Sequence, residues 1–320
     1  MTILITGCAG FIGFHLAKKL IKEKTYVIGL DNLNNYYDVQ LKVERLKILK
    51  KNKYFKFFKL DITDLKKLNK IFETNKINQI VNLAAYAGVE YSLKFPEKYI
   101  FTNEIGFFNI LENAIRHKVK KIIFASSSSV YGLNKLPFDE NQKTDKPISL
   151  YAATKKNNEI LAYYYHKQFN LNIIGIRFFT VYGPYGRPDL SIFKFCRQII
   201  NGERLKLFNS GNNYRDFTYI DDLIENLYKL IKIKNKNNFY KILNISSGKK
   251  IKIRSLVKIL ERYLKKKAKI KLEKKISTDI LASLSFSRKL KKIVKLKKTT
   301  SLNVGIKKFI DWYRLYYNVK

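Results

Sequence analysis

The sequence predicts an α/β fold: a doubly wound parallel sheet with helices on both faces, followed by a smaller C-terminal α/β lobe. Three observations carry this. The first half alternates short apolar runs with stretches of helical periodicity. The first apolar run leads straight into a glycine-rich turn. After Thr180 the alternation gives way to turn-rich segments and shorter elements.

The elements follow in order. "TILIT" is a short apolar strand, and "FIGFHLAKKLIK" repeats apolar residues at helical spacing. "YVIGL" is a second strand that ends at Asp31, "YFKFFKLDI" a third and "INQIVNLAA" a fourth. A helical stretch from Phe101 to Arg116 precedes a fifth strand, "VKKIIFASSSS". A helix containing Tyr151 precedes a sixth, "LNIIGIRFF". Then "VYGPYGRPD" is a loop, a helix follows, and "RLKLFNSGNNYRDFTY" reads as strand, turn and strand. Helices are expected from Ser255 to Lys265 and from Val304 to Tyr317. The expected division is a first domain over 1–180, with segments near 217–246 returning to it, and a smaller, discontinuous domain over 181–320.

Composition narrows the function. A chain of 320 residues, 46% hydrophobic and 14% aromatic, buries a full core and is not disordered. No apolar run approaches the length of a membrane span, and "MTILITGCAGFIG" lacks the basic start and cleavage site of a signal peptide, so a cytoplasmic protein is expected. Cys8 and Cys196 make no disulfide framework, and with three scattered histidines no metal site is expected. The net charge of +39 comes mostly from lysines spread over the whole length among Asn, Ile, Phe and Tyr. That is compositional bias rather than a nucleic-acid footprint, although a positive field still speeds encounter with anionic ligands.

The chemistry begins at "TGCAGFIG". Gly7 permits a tight turn, Gly10 lets backbone N–H groups approach a pyrophosphate, and Gly13 lets the helix pack close to the sheet. Between a strand and a helix this reads as a dinucleotide site in a Rossmann-type domain. Asp31, 18 residues after Gly13, is placed to accept both hydroxyls of the adenosine ribose and to repel a 2′-phosphate. That favours NAD over NADP; a cap on the turn "DNLNN" is the competing role. Asp61 is placed to meet the adenine amino group or to cap the next helix. In "SLYAATKK", Tyr151 and Lys155 lie one helical turn apart on one face. A phenol has an ordinary pKa of ~10 and is a poor base until a neighbouring ammonium favours the phenolate.

The glycine loop, Asp31, "ASSSSVYG" and "YAATK" together resemble the extended short-chain dehydrogenase/reductase family, over essentially the whole chain. "DNLNNYYD", "SLYAATKK", "RFFTVYGPYGRPD", "IFKF" and "RDFTYIDD" are most similar to nucleotide-sugar 4-epimerases, and among them to those acting on UDP-glucuronate. The resemblance implies an isomerase with NAD as cofactor and a UDP-sugar as substrate. Tyr151 is then the acid/base, Lys155 its electrostatic partner and a ribose ligand, and Ser127 the hydroxyl that bonds the sugar 4-oxygen, with Ser126, Ser128 and Ser129 one or two residues away. It implies cofactor contacts at Gly7, Gly10, Phe11, Ile12, Gly13, Asp31, Asn32, Asp61, Ile62, Leu83, Ala84, Ala85 and Asn103. Arg215 matches the arginine that clamps the diphosphate, and Arg288 stands near a second basic position, where Ser285 replaces the usual acidic residue. Phe193, Lys194 and Phe195 lie where the family holds uracil and a nearby phosphate; Phe208 is either a further contact or a core residue. A homodimer through two helices, one carrying Tyr151, is also implied.

Thr180 and Arg187 set the subclass. They resemble the pair that binds the uronate carboxylate, aided by Ser128 or Ser129. Oxidation at C4 of a uronate gives a β-keto acid, so firm anchoring of the carboxylate is needed to prevent loss of carbon dioxide. A surface position for Arg187, or an ion pair with Asp189, is the competing role. Glu90 stands where the family usually has a basic residue, and Tyr86 where it often has Gln. The expected reaction is UDP-glucuronate to UDP-galacturonate. The rivals are a neutral UDP-sugar 4-epimerase, a UDP-glucuronate decarboxylase and a non-catalytic NAD-sensing protein.

Overall fold

Apolar runs become strands where neighbours cover both faces, and the chain begins that way. A computed structural model describes residues 1–233, 238–274, 280–296 and 298–319; the parts of the expected domains that fall on 234–237, 275–279, 297 and 320 lie outside it. The order is β1 (Thr2–Thr6), α1 (Phe11–Lys22), β2 (Tyr26–Asp31), α2 (Val39–Lys50), β3 (Phe55–Lys59), α3 (Leu65–Thr74), β4 (Gln79–Asn82), α4 (Val89–Lys94) and α5 (Pro96–Tyr99). A π-helical stretch (Ile100–Ile105) leads into α6 (Gly106–Arg116), then β5 (Lys121–Ser127), α7 (Leu150–Phe169) and β6 (Asn172–Phe178). There follow β7 (Thr180–Tyr182), α8 (Ser191–Asn201), β8 (Arg204–Phe208), β9 (Tyr214–Tyr219), α9 (Ile220–Lys232), β10 (Tyr240–Ile245), β11 (Lys250–Lys252), α10 (Ile253–Leu264), β12 (Lys269–Glu273), α11 (Arg288–Ile293) and α12 (Leu302–Tyr317).

The first compact unit comprises Met1–Gly132, Gln142–Phe178 and Ile224–Leu243. Its sheet has the order β10-β6-β5-β4-β1-β2-β3, and β1 to β6 pair in parallel throughout. The order reverses between β1 and β4, which is where such sheets bind ligands at their carboxyl ends. Central strands are buried on both faces, so β5 reads as a nearly continuous apolar run. Helix starts follow local chemistry. Ser149 caps α7 by accepting from the Ala152 N–H at 3.1 Å, and Asp64 caps α3 by accepting from Lys67 N–H at 3.0 Å. Leu4, Ile28, Ile80, Phe107, Ile122 and Phe124 form part of one buried core.

The second unit comprises Leu133–Asn141, Phe179–Leu223 and Asn244–Lys320. In it β9 pairs in parallel with β7 and antiparallel with β11, while β8 pairs in parallel with β12. The two strands of "RLKLFNSGNNYRDFTY" therefore belong to different sheets. The boundaries differ from the expected ones in two places. Residues 133–141 go with the second unit, because the Phe138 N–H donates to the Leu284 carbonyl at 2.7 Å and the Asn244 N–H donates to Glu140 at 2.8 Å. The return begins at Ile224 rather than near 217, because β9 is held on both edges within the second unit. Both differences arise from pairing between distant segments, which local periodicity does not encode.

Candidate active site

Glycine shapes the turn after β1. Gly7 has φ +67°, and a Cβ on Gly13 would lie 2.1 Å from the Gly7 carbonyl oxygen, so helix and loop meet at a distance only glycine allows. Gly10 is the N-cap of α1, where no side chain caps the helix and no acidic residue occupies the first turn. The N-terminal N–H groups are thus left for an anion, and the loop fits a pyrophosphate.

Two side chains hold this loop from behind. The Ala9 N–H donates to Asp31 Oδ2 at 3.1 Å, and the Ala9 carbonyl accepts from Arg45 Nη1 at 2.7 Å. Arg45 is fully buried and also reaches the Tyr37 hydroxyl. Asp31 Oδ1 accepts from the Leu33 N–H at 2.9 Å, so the turn-capping role is real. A carboxylate has about four acceptor positions, which leaves room for ribose hydroxyls. Burial raises the Asp31 pKa, opposed by nearby Lys42 and Arg45. Asp61 accepts from Asn32 Nδ2 at 2.6 Å and from the Thr63 N–H and hydroxyl, so the structure brings together two of the residues expected to contact the cofactor.

Several of the residues expected at the cofactor have polar partners within the chain. The Leu83 and Ala84 N–H groups donate to Thr6 Oγ1 at 3.1 Å each. The Ile62 carbonyl accepts from Asn109. Asn103 is buried, and its amide nitrogen donates to the Tyr86 carbonyl and to Thr154 Oγ1.

The serine run resolves by strand alternation. Ser126 donates to Glu159 at 2.6 Å, in a buried network where Arg177 grips both carboxylate oxygens. Ser127 faces the other way, at the end of β5, where its hydroxyl accepts from the Ser129 N–H at 3.1 Å. Ser128 and Ser129 follow in a half-buried 3₁₀ turn. On α7, Lys155 is fully enclosed and donates to the Ala125 carbonyl at 2.9 Å; burial pulls its pKa down to about 7. Tyr151 stands one turn earlier and is half-buried, its ring edge-on to Tyr99 at 6.1 Å between centroids.

In the second unit Thr180 pairs in register with Phe217 on β9, and Arg215 lies two residues before Phe217. Thr180 and Arg215 therefore point to the same face of that sheet. Arg215 Nη1 donates to the Tyr214 and Ile280 carbonyls. Arg187 forms a two-point ion pair with Asp189, through Nε at 3.0 Å and Nη2 at 2.5 Å. Lys194 is exposed, Phe195 is buried, and Phe208 is half-buried at the end of β8. Phe193 is 3% exposed and packs against Phe309, Trp312, Tyr313 and Tyr317, so it is part of the core of the second unit. Arg288 is exposed at the start of α11 over the Phe286 ring, and Ser285 bonds Asn244. Glu90 is exposed at the start of α4 with no ion pair among the described residues. Sequence reasoning missed the roles of Thr6, Arg45, Tyr36 and Tyr99: Thr6 opens "TGCAGFIG" and Tyr36 lies in "DNLNNYYD", Arg45 and Tyr99 sit in no motif, and only partners distant in the chain reveal what the four side chains hold.

Among the described residues no cluster of three or more His, Cys, Asp or Glu is placed to hold a metal ion, and no helix is long and apolar enough to cross a membrane. Residues 3–246 match the NAD dependent epimerase/dehydratase family. An uncharacterized protein of Methanocaldococcus jannaschii is 45% identical, over 97% of this chain and 95% of its own. The UDP-glucuronate 4-epimerase of Thermodesulfobacterium geofontis is 43% identical, again over 97% and 95%. The crystal structure of UDP-glucuronic acid 4-epimerase from Bacillus cereus, in complex with UDP-glucuronic acid and NAD, superposes with a TM-score of 0.92 at 33% identity, covering 99% of this chain and 100% of that one.

Proposed function

The chain belongs to the NAD dependent epimerase/dehydratase family and is an NAD-dependent nucleotide-sugar 4-epimerase; from that premise we propose that it interconverts UDP-glucuronate and UDP-galacturonate. In this reading the Gly7–Gly13 loop holds the NAD pyrophosphate and Asp31 the adenosine ribose. Asn32 and Asp61 lie toward the adenine, and Lys155 holds the nicotinamide ribose. Bound NAD supplies the hydride acceptor for sugar C4 and returns the hydride to the opposite face.

The chain's own groups do the rest. Tyr151 takes the 4-hydroxyl proton and later gives it back to the 4-oxygen. Ser127 bonds that oxygen and orients it. Lys155, when protonated, favours the phenolate of Tyr151. Arg215 and Arg288 hold the diphosphate while the sugar turns, and Lys194, Phe195 and Phe208 lie toward the uridine. Thr180, Arg187 and Ser128 or Ser129 anchor the C6 carboxylate and hold its bond to C5 out of line with the ketone, which suppresses decarboxylation.

The observation that carries the uronate reading is the full-length likeness to proteins named for UDP-glucuronate 4-epimerisation, in a chain that has Thr180 and Arg187. A second reading, a neutral UDP-sugar 4-epimerase, is favoured by the Arg187–Asp189 ion pair, since that guanidinium already has a carboxylate. Incubation with UDP-glucuronate and with UDP-glucose, followed by separation of products, tests both. UDP-galacturonate as the main product supports the first reading, faster turnover of UDP-glucose the second. A pentose product with carbon dioxide marks a decarboxylase, and no product with either sugar marks an NAD-binding protein without chemistry. A homodimer is proposed through the helices that expose Phe101, Phe108, Ile160 and Tyr164, to be tested by sedimentation.

A further inference from the structure

The loop between β4 and α4 is gripped at three consecutive residues by side chains from outside it. The Tyr86 N–H donates to Asn103 Oδ1 at 2.8 Å, and the Tyr86 carbonyl accepts from Asn103 Nδ2 at 3.0 Å. The Ala87 carbonyl accepts from the Tyr36 hydroxyl. The Gly88 carbonyl accepts from the Tyr99 hydroxyl at 2.7 Å. Gly88 has φ +115°, and a Cβ there would lie 2.9 Å from the Tyr36 hydroxyl oxygen, so this close grip requires glycine.

Tyr99 does more than hold Gly88. It is fully buried, and its ring meets that of Tyr151 at 6.1 Å and 77°, an edge-to-face contact. Asn103 reinforces the same connection, since it reaches Thr154 on α7 at 3.1 Å. The loop that presents Tyr86 is thus tied to the helix that presents Tyr151. An aromatic edge against a phenol limits the tilt of that phenol, and small misplacement of a reacting group costs up to about a hundredfold in rate.

We propose that Tyr99 is a positioning residue for the epimerisation: its hydroxyl latches the Tyr86–Gly88 loop and its ring buttresses Tyr151, so one side chain sets both the loop and the base. This rests on the reading of Tyr151 as the base. The two halves separate by substitution. Tyr99→Phe keeps the ring and removes the latch. Tyr99→Leu removes both. Tyr36→Phe removes the neighbouring latch on Ala87 without altering a ring next to Tyr151.

The test uses the NAD-loaded protein and whichever UDP-sugar it turns over, with rates measured across pH and bound NAD measured after denaturation. Tyr99→Phe and Tyr36→Phe should each raise KM about three- to tenfold, with kcat and its pH profile within about twofold of the parent. Tyr99→Leu should retain NAD, lower kcat by about tenfold or more and shift the pH profile of kcat. If the leucine variant loses NAD, Tyr99→Met, which fills the space without an aromatic edge, is judged by the same readings. A parental KM in Tyr99→Phe overturns the latch; a parental kcat and pH profile in the leucine or methionine variant overturns the buttress. Tyr151→Phe, measured alongside, separates the two levels. If it stays active, the base reading fails. If it is inactive while the Tyr99 variants match the parent, only the positioning role fails.

Discussion

The Lys155 ammonium donates a 2.9 Å hydrogen bond to the Ala125 carbonyl, two residues before Ser127 on the same strand. One contact thereby joins the helix that carries Tyr151 to the strand end that carries Ser127. It also buries the lysine completely, and burial lowers its pKa to about 7. A lysine in water titrates far higher, so burial brings this amine's titration down toward neutrality.

Removing the base should leave the fold and the cofactor in place. Tyr151 is half-buried, and Phe keeps its ring contact with Tyr99. Tyr151→Phe is expected to lower kcat by ~10²–10⁴ with bound NAD unchanged. Steady-state rates and the NAD content of the purified variant check it, and parental turnover would remove Tyr151 from the mechanism.

Lys155 makes a signed prediction about stability. Its folded pKa, about 7, lies below the ordinary 10.5, so between these values the unfolded chain binds the extra proton. Stability therefore rises with pH across that window, and below about pH 7 the burial penalty is fully present. Lys155→Met should be the more stable protein at about pH 6, with a ceiling of roughly 5 kcal/mol, and the gap should close toward about pH 10. Urea midpoints of both proteins at the two pH values measure it. A gap that is absent at low pH, or that widens as pH rises, contradicts it.

Asp31, whose carboxylate fastens Ala9 and Leu33, is the residue expected to set cofactor choice. A 2′-phosphate brought to that carboxylate meets like charge at close range. The apoprotein should bind NAD at least about tenfold more tightly than NADP, as titration calorimetry would show. Equal affinities would mean that Asp31 serves the turn alone.

The substrate prediction turns on Arg187. Arg187→Ala should reduce kcat/KM for UDP-glucuronate by about ten- to a hundredfold, the worth of one charge-assisted contact, and change that for UDP-glucose much less. It should also raise the share of decarboxylated product. Equal losses with both sugars would assign Arg187 to its ion pair with Asp189 and to loop structure instead.

Much of this was legible in the sequence, because it is written in local periods. Strands and helices alternate by hydrophobic spacing, and the glycines after β1 mark a turn where helix and loop must touch. The four-residue spacing of Tyr151 and Lys155 places them on one face of any helix. Even the choice between Ser126 and Ser127 follows strand parity, once Glu159 is known to lie on one side.

The tertiary structure decided what depends on partners far along the chain. Arg45 meets Ala9 across 36 positions, Tyr36 meets Ala87 across 51, and Lys155 meets Ala125 across 30. No local pattern encodes such pairs, because they form only when the sheet order brings the loops together. The same holds for Phe193, whose neighbours lie more than 100 positions away in α12 and make it core. Residue type and spacing determine what a segment becomes by itself; burial and strand order determine which backbone groups and rings it finds.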